Sequence, residues 1–176
     1  MSEAEAGRRA PRVLVVGCGN ESRRDDGVGL YVIRELARRL ALREVEDTDA
    51  ASATGEVPTP SGTACVELRF EHQLDLVLAD DLRAVDRFVV VDAHTGAFPE
   101  TLRRVELHPG YESSMTSHHL TPETLVGLAR ALHGHVPRAV LFSIRGYDFN
   151  FGTDLTPATR AAADQAVEEI LGFVIG

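Results

Sequence analysis

The chain is poor in cysteine, in basic residues and in long apolar runs. Its two cysteines, Cys18 and Cys65, do not make a disulfide framework or a thiolate metal cluster. No apolar run approaches the length that crosses a membrane. Lys and Arg number 18 against 27 Asp and Glu, and this net charge of -9 argues against nucleic acid, because phosphate binding needs clustered cations. We therefore expect a cytoplasmic protein with neither a nucleic-acid nor a membrane partner.

The composition predicts one globular domain over residues 1–176, with 44% hydrophobic and 26% charged residues. No apolar stretch occurs before Val13, so we expect neither a signal peptide nor a membrane anchor, and residues 1–11 are predicted to be flexible. Residues 44–63 are rich in Ser, Thr, Pro, Gly and acids and lack hydrophobic periodicity. This stretch is predicted to be an exposed, mobile loop.

Strand and helix signals alternate along the chain. Gly27 to Leu42 carries apolar residues four apart on one face, and Gln73 to Leu82 is a shorter helical candidate. Two further helices are predicted where Thr121 and Thr156 each precede a proline, because Thr can cap the first amides. The order predicts an α/β fold with three α/β/α layers and a mostly parallel, twisted five-stranded sheet covered by helices on both faces. Its strands are predicted at residues 12–16, 65–70, 87–91, 103–107 and 138–144.

The most informative segment is residues 13–29, where an apolar strand enters a glycine turn that ends in adjacent carboxylates. Gly17 and Gly19 resemble the glycines of a dinucleotide-binding turn, but Ser22 stands in the place of the third glycine. Asp25 and Asp26 would also repel a pyrophosphate. Nucleotide binding is therefore a disfavoured reading, and the acids indicate a site for a cation or for activated water.

Other polar residues are predicted near the same edge of the sheet, since ligands of open α/β sheets bind beyond the carboxyl ends of the strands. Asp92 and His94 follow the third predicted strand, and His118 and His119 precede a helix. Carboxylates and an imidazole together would suit a divalent ion such as zinc or nickel. Each residue also has a simpler interpretation, because an acid at a helix start is commonly a cap and loop histidines are commonly solvated.

These motifs resemble those of the nickel-iron hydrogenase maturation proteases, from Val13 to about Leu171. The later segments Val91 to Ala93, Thr116 to Leu120 and Gly146 to Pro157 occur in the order expected for that family. The D-G-G-T motif of its better-known members is replaced here by Phe70 to Leu74, which resembles a divergent branch. The most specific matches are G-x-G-N and D-D-G-x-G, namely Gly17, Gly19, Asn20, Asp25, Asp26, Gly27 and Gly29.

The resemblance implies a phosphorylase/hydrolase-like fold and an endopeptidase that removes the C-terminal extension of the hydrogenase large-subunit precursor after nickel insertion. It implies a metal set of Asp26, Asp92 and His118, with His119 open as the alternative histidine. Asp26 and Asp92 are the implied catalytic residues, and Gly19 and Asn20 the implied substrate contacts. Nickel would be recognised in the substrate, with zinc or cadmium able to substitute, and the protein would act as a monomer.

A non-catalytic alternative keeps the same fold. The missing D-G-G-T motif leaves open a metal-sensing or scaffold protein that binds a hydrogenase subunit without cutting it. No G-x-S-x-G elbow and no H-E-x-x-H helix offers another hydrolytic mechanism.

Overall fold

The computed structural model describes residues 9–45, 52–110 and 120–176. Its centre is one sheet of seven strands in the order β2-β3-β4-β1-β5-β7-β6. The strands are β1 (Arg12–Cys18), β2 (Arg43–Val45), β3 (Ser52–Thr59), β4 (Gly62–Glu71), β5 (Arg87–His94), β6 (Leu102–Leu107) and β7 (Arg138–Arg145).

The sheet is mostly parallel, as the sequence predicts. Strands β4, β1, β5 and β7 run in one direction as adjacent neighbours, while β6 pairs antiparallel to β7 and β3 antiparallel to β4. All five predicted strands are present. Strands β2 and β3 were not expected, so the sheet is two strands wider than predicted.

The prediction of a mobile loop over residues 44–63 is wrong where the structure describes that stretch. Residues 52–59 form β3, which pairs with β4 from Ser52 opposite Arg69 to Thr59 opposite Gly62. Ala53 and Val57 of this strand are buried. The strand is stabilised by its main-chain pairing with β4 and by these two side chains, so it needs no apolar periodicity of its own. Residues 46–51 lie outside the described ranges.

Helices cover both faces of the sheet and give three layers. Helices α1 (Val28–Arg39) and α4 (Pro157–Ile175) pack on one face, and α2 (Val77–Asp81) and α3 (Pro122–His133) pack on the other. Each helix pair encloses its own apolar core, because the buried side chains of the central strands alternate between the two faces. Each fully buried large apolar side chain contributes roughly 1.5–3 kcal/mol.

The predicted threonine caps are confirmed. The hydroxyl of Thr121 accepts a hydrogen bond from the Thr124 N–H at 3.2 Å, and that of Thr156 accepts one from the Thr159 N–H at 3.5 Å. The predicted helix from Gly27 begins one residue later, after a 3₁₀ turn at Arg24–Gly27. The helix predicted from Gln73 begins at Val77.

Part of the predicted flexible N-terminus contacts the domain. Arg9 forms an ion pair with Asp86 at 3.0 Å, and the Pro11 carbonyl accepts a hydrogen bond from the Cys65 N–H at 2.9 Å. The first eight residues lie outside the described ranges. Among the helices in those ranges, none is both long and apolar enough to cross a bilayer.

Candidate active site

The carboxyl ends of the parallel strands bring several polar side chains to one edge of the sheet. Cys18 at the end of β1 is paired in register with Glu71 at the end of β4. Gly17 is paired with Val91, which places Asp92 level with Cys18 on the other neighbouring strand. Open α/β sheets bind ligands at this edge, so the register supports the predicted location of the site.

Cys18, Asp92 and His94 lie on the same face of the sheet. Cys18 packs in the core beneath α2 and α3, whereas Val91 and Ala93 pack in the opposite core. Successive side chains of a strand alternate between faces, so Asp92 and His94 lie on the α2 and α3 side with Cys18.

The first glycine turn is tied together by Asn20 and Asp26. The Asn20 N–H donates to Asp26 Oδ2 at 3.1 Å, and the Asn20 side-chain oxygen accepts from the Ser22 N–H at 2.9 Å. Gly19 has a φ of +134°, and any side chain there would collide with the main-chain carbonyl of Asp26. The turn therefore requires glycine at this position.

Asp25 is fully buried. Its carboxylate accepts main-chain hydrogen bonds from Tyr147 at 2.7 Å, Asp148 at 3.1 Å and Thr156 at 2.7 Å, and a further one from the Thr156 hydroxyl at 2.8 Å. Burial by itself would raise the pKa of Asp25, but these donors outweigh it and hold the pKa below its usual value. Asp25 thus binds residues 147–156, and the capping interpretation of this acid is wrong.

Asp26 is half-buried, and its negative charge helps to raise the pKa of Asp92. The larger cause of the raised pKa is a partial loss of hydration, because nearby protein atoms crowd the Asp92 carboxylate. The residue still has an exposed surface that water reaches. A hydrogen bond from the Ala93 N–H at 2.8 Å opposes both effects. The net result is a pKa of about 6 for Asp92. Two carboxylates that repel each other in this way favour a bound cation.

Cys18 is buried beside these acids and is a free thiol. Burial is the main cause that raises the pKa of Cys18, and the charges of Asp92 and Glu71 add to it. The thiol therefore stays protonated at neutral pH, which makes Cys18 unsuited to act as a nucleophile.

The two candidate histidine ligands cannot be placed beside the acids. His118 and His119 both lie outside the described residues. Within residues 9–45, 52–110 and 120–176, no three His, Cys, Asp or Glu side chains are grouped closely enough to hold a metal ion. The predicted set of Asp26, Asp92 and His118 accordingly stays a prediction, as do the substrate contacts of Gly19 and Asn20.

Two other histidines lie at this edge: His94, which the sequence analysis placed there beside Asp92, and His72, to which it gave no role. His72 follows β4, and its Nδ1 lies 3.2 Å from the Gly19 carbonyl oxygen, to which it donates. His94 ends β5 and is 8% exposed. His72 directly follows the parallel strand β4, and this position is the signal that could have identified it.

The chain is similar in sequence and in fold to known proteins. No family model matches the chain. A Methanocaldococcus jannaschii protein, provisionally named a hydrogenase maturation protease, is 26% identical over 169 residues, which cover 92% of this chain and 96% of that protein. The hydrogenase maturating endopeptidase HybD from E. coli has a TM-score of 0.63 at 18% identity and covers 92% of this chain and 91% of its own.

A second solved structure extends the likeness to almost the full length. The NiFe hydrogenase maturation protease HycI from Thermococcus kodakarensis KOD1 has a TM-score of 0.61 at 18% identity, over 99% of this chain and 100% of its own. The resemblance to the hydrogenase maturation proteases is confirmed. At 18% identity, the hydrogenase maturation proteases of known structure share the fold with this chain, whereas its chemistry depends on its own side chains at the sheet edge.

Proposed function

We propose that the chain is a metal-dependent endopeptidase that removes the C-terminal extension of a nickel-iron hydrogenase large-subunit precursor after nickel insertion. The observation that carries this proposal is the position of two carboxylates, Asp26 and Asp92, at the carboxyl edge of the parallel strands, where the charge of Asp26 helps to raise the pKa of Asp92. The named activities of proteins with the same fold support it, since they are hydrogenase maturation endopeptidases.

The two carboxylates at this edge would suit a metal ion that enters with the substrate. Carboxylate oxygens and an imidazole are suitable ligands for nickel, zinc or cadmium. Asp26 and Asp92 would be two ligands and His118 the third, with the precursor supplying the others. A chain that contributes only part of the coordination shell would engage a precursor that already holds nickel, and cleavage would then depend on metal loading.

The chain's own groups would bind the metal and orient water. A metal ion here would polarise the scissile carbonyl group or lower the pKa of the attacking water. Asp92 is ionised at neutral pH because its pKa of about 6 lies below 7, so it can bind a cation or accept a proton from water. Both cysteines are free thiols, which is consistent with action in the reducing cytoplasm.

The deciding experiment incubates the protein with a nickel-loaded precursor and measures the precursor mass. We expect loss of a C-terminal peptide with wild type, and no loss with Asp26→Ala or Asp92→Ala. Glu168→Ala is a suitable control, because Glu168 is exposed on α4 and forms an ion pair with the surface residue Arg39 at 2.8 Å. This control should cleave at the wild-type rate.

Binding without cleavage would indicate the scaffold alternative. If wild type and Asp26→Ala both bind the precursor and leave it equally intact, the endopeptidase proposal fails. Thermal stabilisation by NAD or ATP, but not by nickel or cadmium, would instead favour nucleotide binding.

The metal dependence needs a separate test. A nickel-free precursor should stay uncut, and a crystal soaked with cadmium should show density bridging Asp26, Asp92 and His118. Cleavage of the metal-free precursor at the same rate would contradict the metal requirement while leaving the peptidase activity intact.

A further inference from the structure

His94 is a buried histidine at the candidate active site. It lies two residues after Asp92 on the same face of β5, one step further toward the carboxyl edge. The side chain is 8% exposed, and its ring packs edge-on against Phe98 with the ring centroids 5.6 Å apart. Burial and this packing restrict the orientation of the ring.

One ring nitrogen of His94 has a defined partner. The Gly96 N–H donates to His94 Nδ1 at 3.2 Å, so Nδ1 is the nitrogen that carries the lone pair. The neutral ring must then carry its proton on Nε2. The second nitrogen of His94 is therefore a hydrogen-bond donor.

That donor has no acceptor within the part of the chain that the structure describes. Nε2 of His94 is buried, and no hydrogen-bond partner is found for it there. An unsatisfied buried donor is costly and is rare in native proteins, and functional sites are one of the places where such groups are retained. A ligand that supplies an oxygen atom would satisfy it.

The surroundings of His94 carry positive charge. Arg145 is its paired neighbour on β7, and the Arg145 guanidinium lies beside Gly96 and over the Tyr147 ring at 5.0 Å from its centroid. Asp92 thus contributes negative charge to the edge. Further along β5, His94 contributes a hydrogen-bond donor, and beside it on β7 Arg145 contributes a positive charge. An oxygen that becomes negative during a reaction would be stabilised on the His94 side.

We propose that the His94 Nε2–H binds the carbonyl oxygen of the scissile peptide bond. This inference rests on the proposed endopeptidase function. Water adds its oxygen to the carbonyl carbon and gives one proton to a site carboxylate, while the carbonyl electron pair moves onto the oxygen that His94 contacts. The pair then returns, the C–N bond breaks, and the proton passes to the leaving nitrogen to give an acid and an amine. His94 keeps its own proton throughout and stabilises the charge on oxygen.

Two substitutions separate the two nitrogens of His94. The side-chain oxygen of Asn can replace Nδ1 as the acceptor for Gly96, but Asn cannot reach the Nε2 position. Gln can place an N–H near the Nε2 position, but it does not reproduce the Nδ1 acceptor. We therefore compare His94→Asn with His94→Gln. His135→Gln is the control, because His135 is a partly buried histidine that contacts the Val85 carbonyl before the start of β5, away from the carboxyl edge.

Cleavage of the nickel-loaded precursor gives the first readout. We expect His94→Asn to lower kcat by about 100-fold, which is typical for loss of one such donor, with KM within about twofold of wild type. His94→Gln should retain kcat to within roughly tenfold, and His135→Gln should match wild type. Equal kcat for His94→Asn and wild type would overturn the inference alone. Failure of wild type to cleave would overturn the proposed function and the inference with it.

A second readout uses the wild-type ring and does not depend on how the variants fold. Nitrogen NMR of labelled histidine should show His94 with its proton on Nε2. The Nε2–H signal should shift when nickel-loaded precursor binds to Asp26→Ala, which retains His94 and does not cleave. A proton on Nδ1, or an unchanged Nε2–H signal in a saturated complex, would contradict the inference.

Discussion

The carboxylate of Asp25 accepts two hydrogen bonds from Thr156, one from its N–H at 2.7 Å and one from its hydroxyl at 2.8 Å. The two residues are 131 positions apart in the chain. Because Thr156 is also the cap of α4, this contact fixes the first glycine turn to the start of the last helix. Asp26, the adjacent residue, is thereby held at the sheet edge.

Removal of this carboxylate should destabilise the fold. Asp25→Ala would leave the N–H groups of Tyr147, Asp148 and Thr156 without their acceptor, so we expect a loss of about 3 kcal/mol or more in the free energy of unfolding. Thr156→Val should cost about 2 kcal/mol, since it removes the hydroxyl's hydrogen bond to Asp25 and its cap on the Thr159 N–H but keeps the main-chain bond. Urea unfolding at pH 7 measures both. Asp154→Ala, at an exposed acid of the same segment, should stay within about 0.5 kcal/mol of wild type.

The contribution of Asp25 should depend on pH. Its donors hold its pKa below the usual value, so the carboxylate contributes stability above the unfolded pKa of about 3.9. That stability is lost as the pH falls through the lower pKa of the folded state. Urea unfolding of wild type and Asp25→Asn from pH 7 to pH 2 should show a difference that shrinks below about pH 4. A constant difference across this range would contradict the assigned role.

The sequence could predict those features that depend on local patterns. The five strands have continuous or β-branched apolar residues, and Thr121 and Thr156 stand directly before the prolines that begin helices. It could not predict which of the adjacent acids, Asp25 or Asp26, turns inward. That choice depends on Tyr147 and Thr156, which approach only after the whole sheet has formed.

The ionised Asp92 carboxylate should destabilise the fold at neutral pH, although cleavage of the precursor requires it. Reduced hydration and the charge of Asp26 raise its pKa to about 6, so the folded protein binds this proton more tightly than the unfolded chain does. Stability therefore decreases as the pH rises from about 4 to about 6. Asp92→Asn should raise the free energy of unfolding at pH 7 by ~1 kcal/mol or less, because water screens the exposed side chain. The difference should disappear below pH 4, and cleavage should be lost.

Cys18 should be dispensable for catalysis. Its thiol is kept protonated by burial and by the neighbouring Asp92 and Glu71, so it cannot supply a thiolate. Cys18→Ala should retain cleavage of the nickel-loaded precursor to within about threefold and lose roughly 1 kcal/mol of stability through the small cavity left behind. Cys65→Ala is the matched control, since Cys65 is half-buried and distant from the carboxyl edge. Complete loss of cleavage in a folded Cys18→Ala protein would instead indicate a cysteine mechanism.

Two substitutions in β3 test why the sequence pattern did not predict a strand over residues 52–59. Gly55, Pro58 and several small polar residues hide the strand, whose order depends on pairing with β4 and on the burial of Ala53 and Val57. Val57→Asp should therefore lower the free energy of unfolding by about 3 kcal/mol, because it places a charge in the core. Glu56→Ala, one residue away on the exposed face, should change it by less than about 0.5 kcal/mol. Equal, small effects of both substitutions on urea unfolding would restore the interpretation of this stretch as a mobile loop.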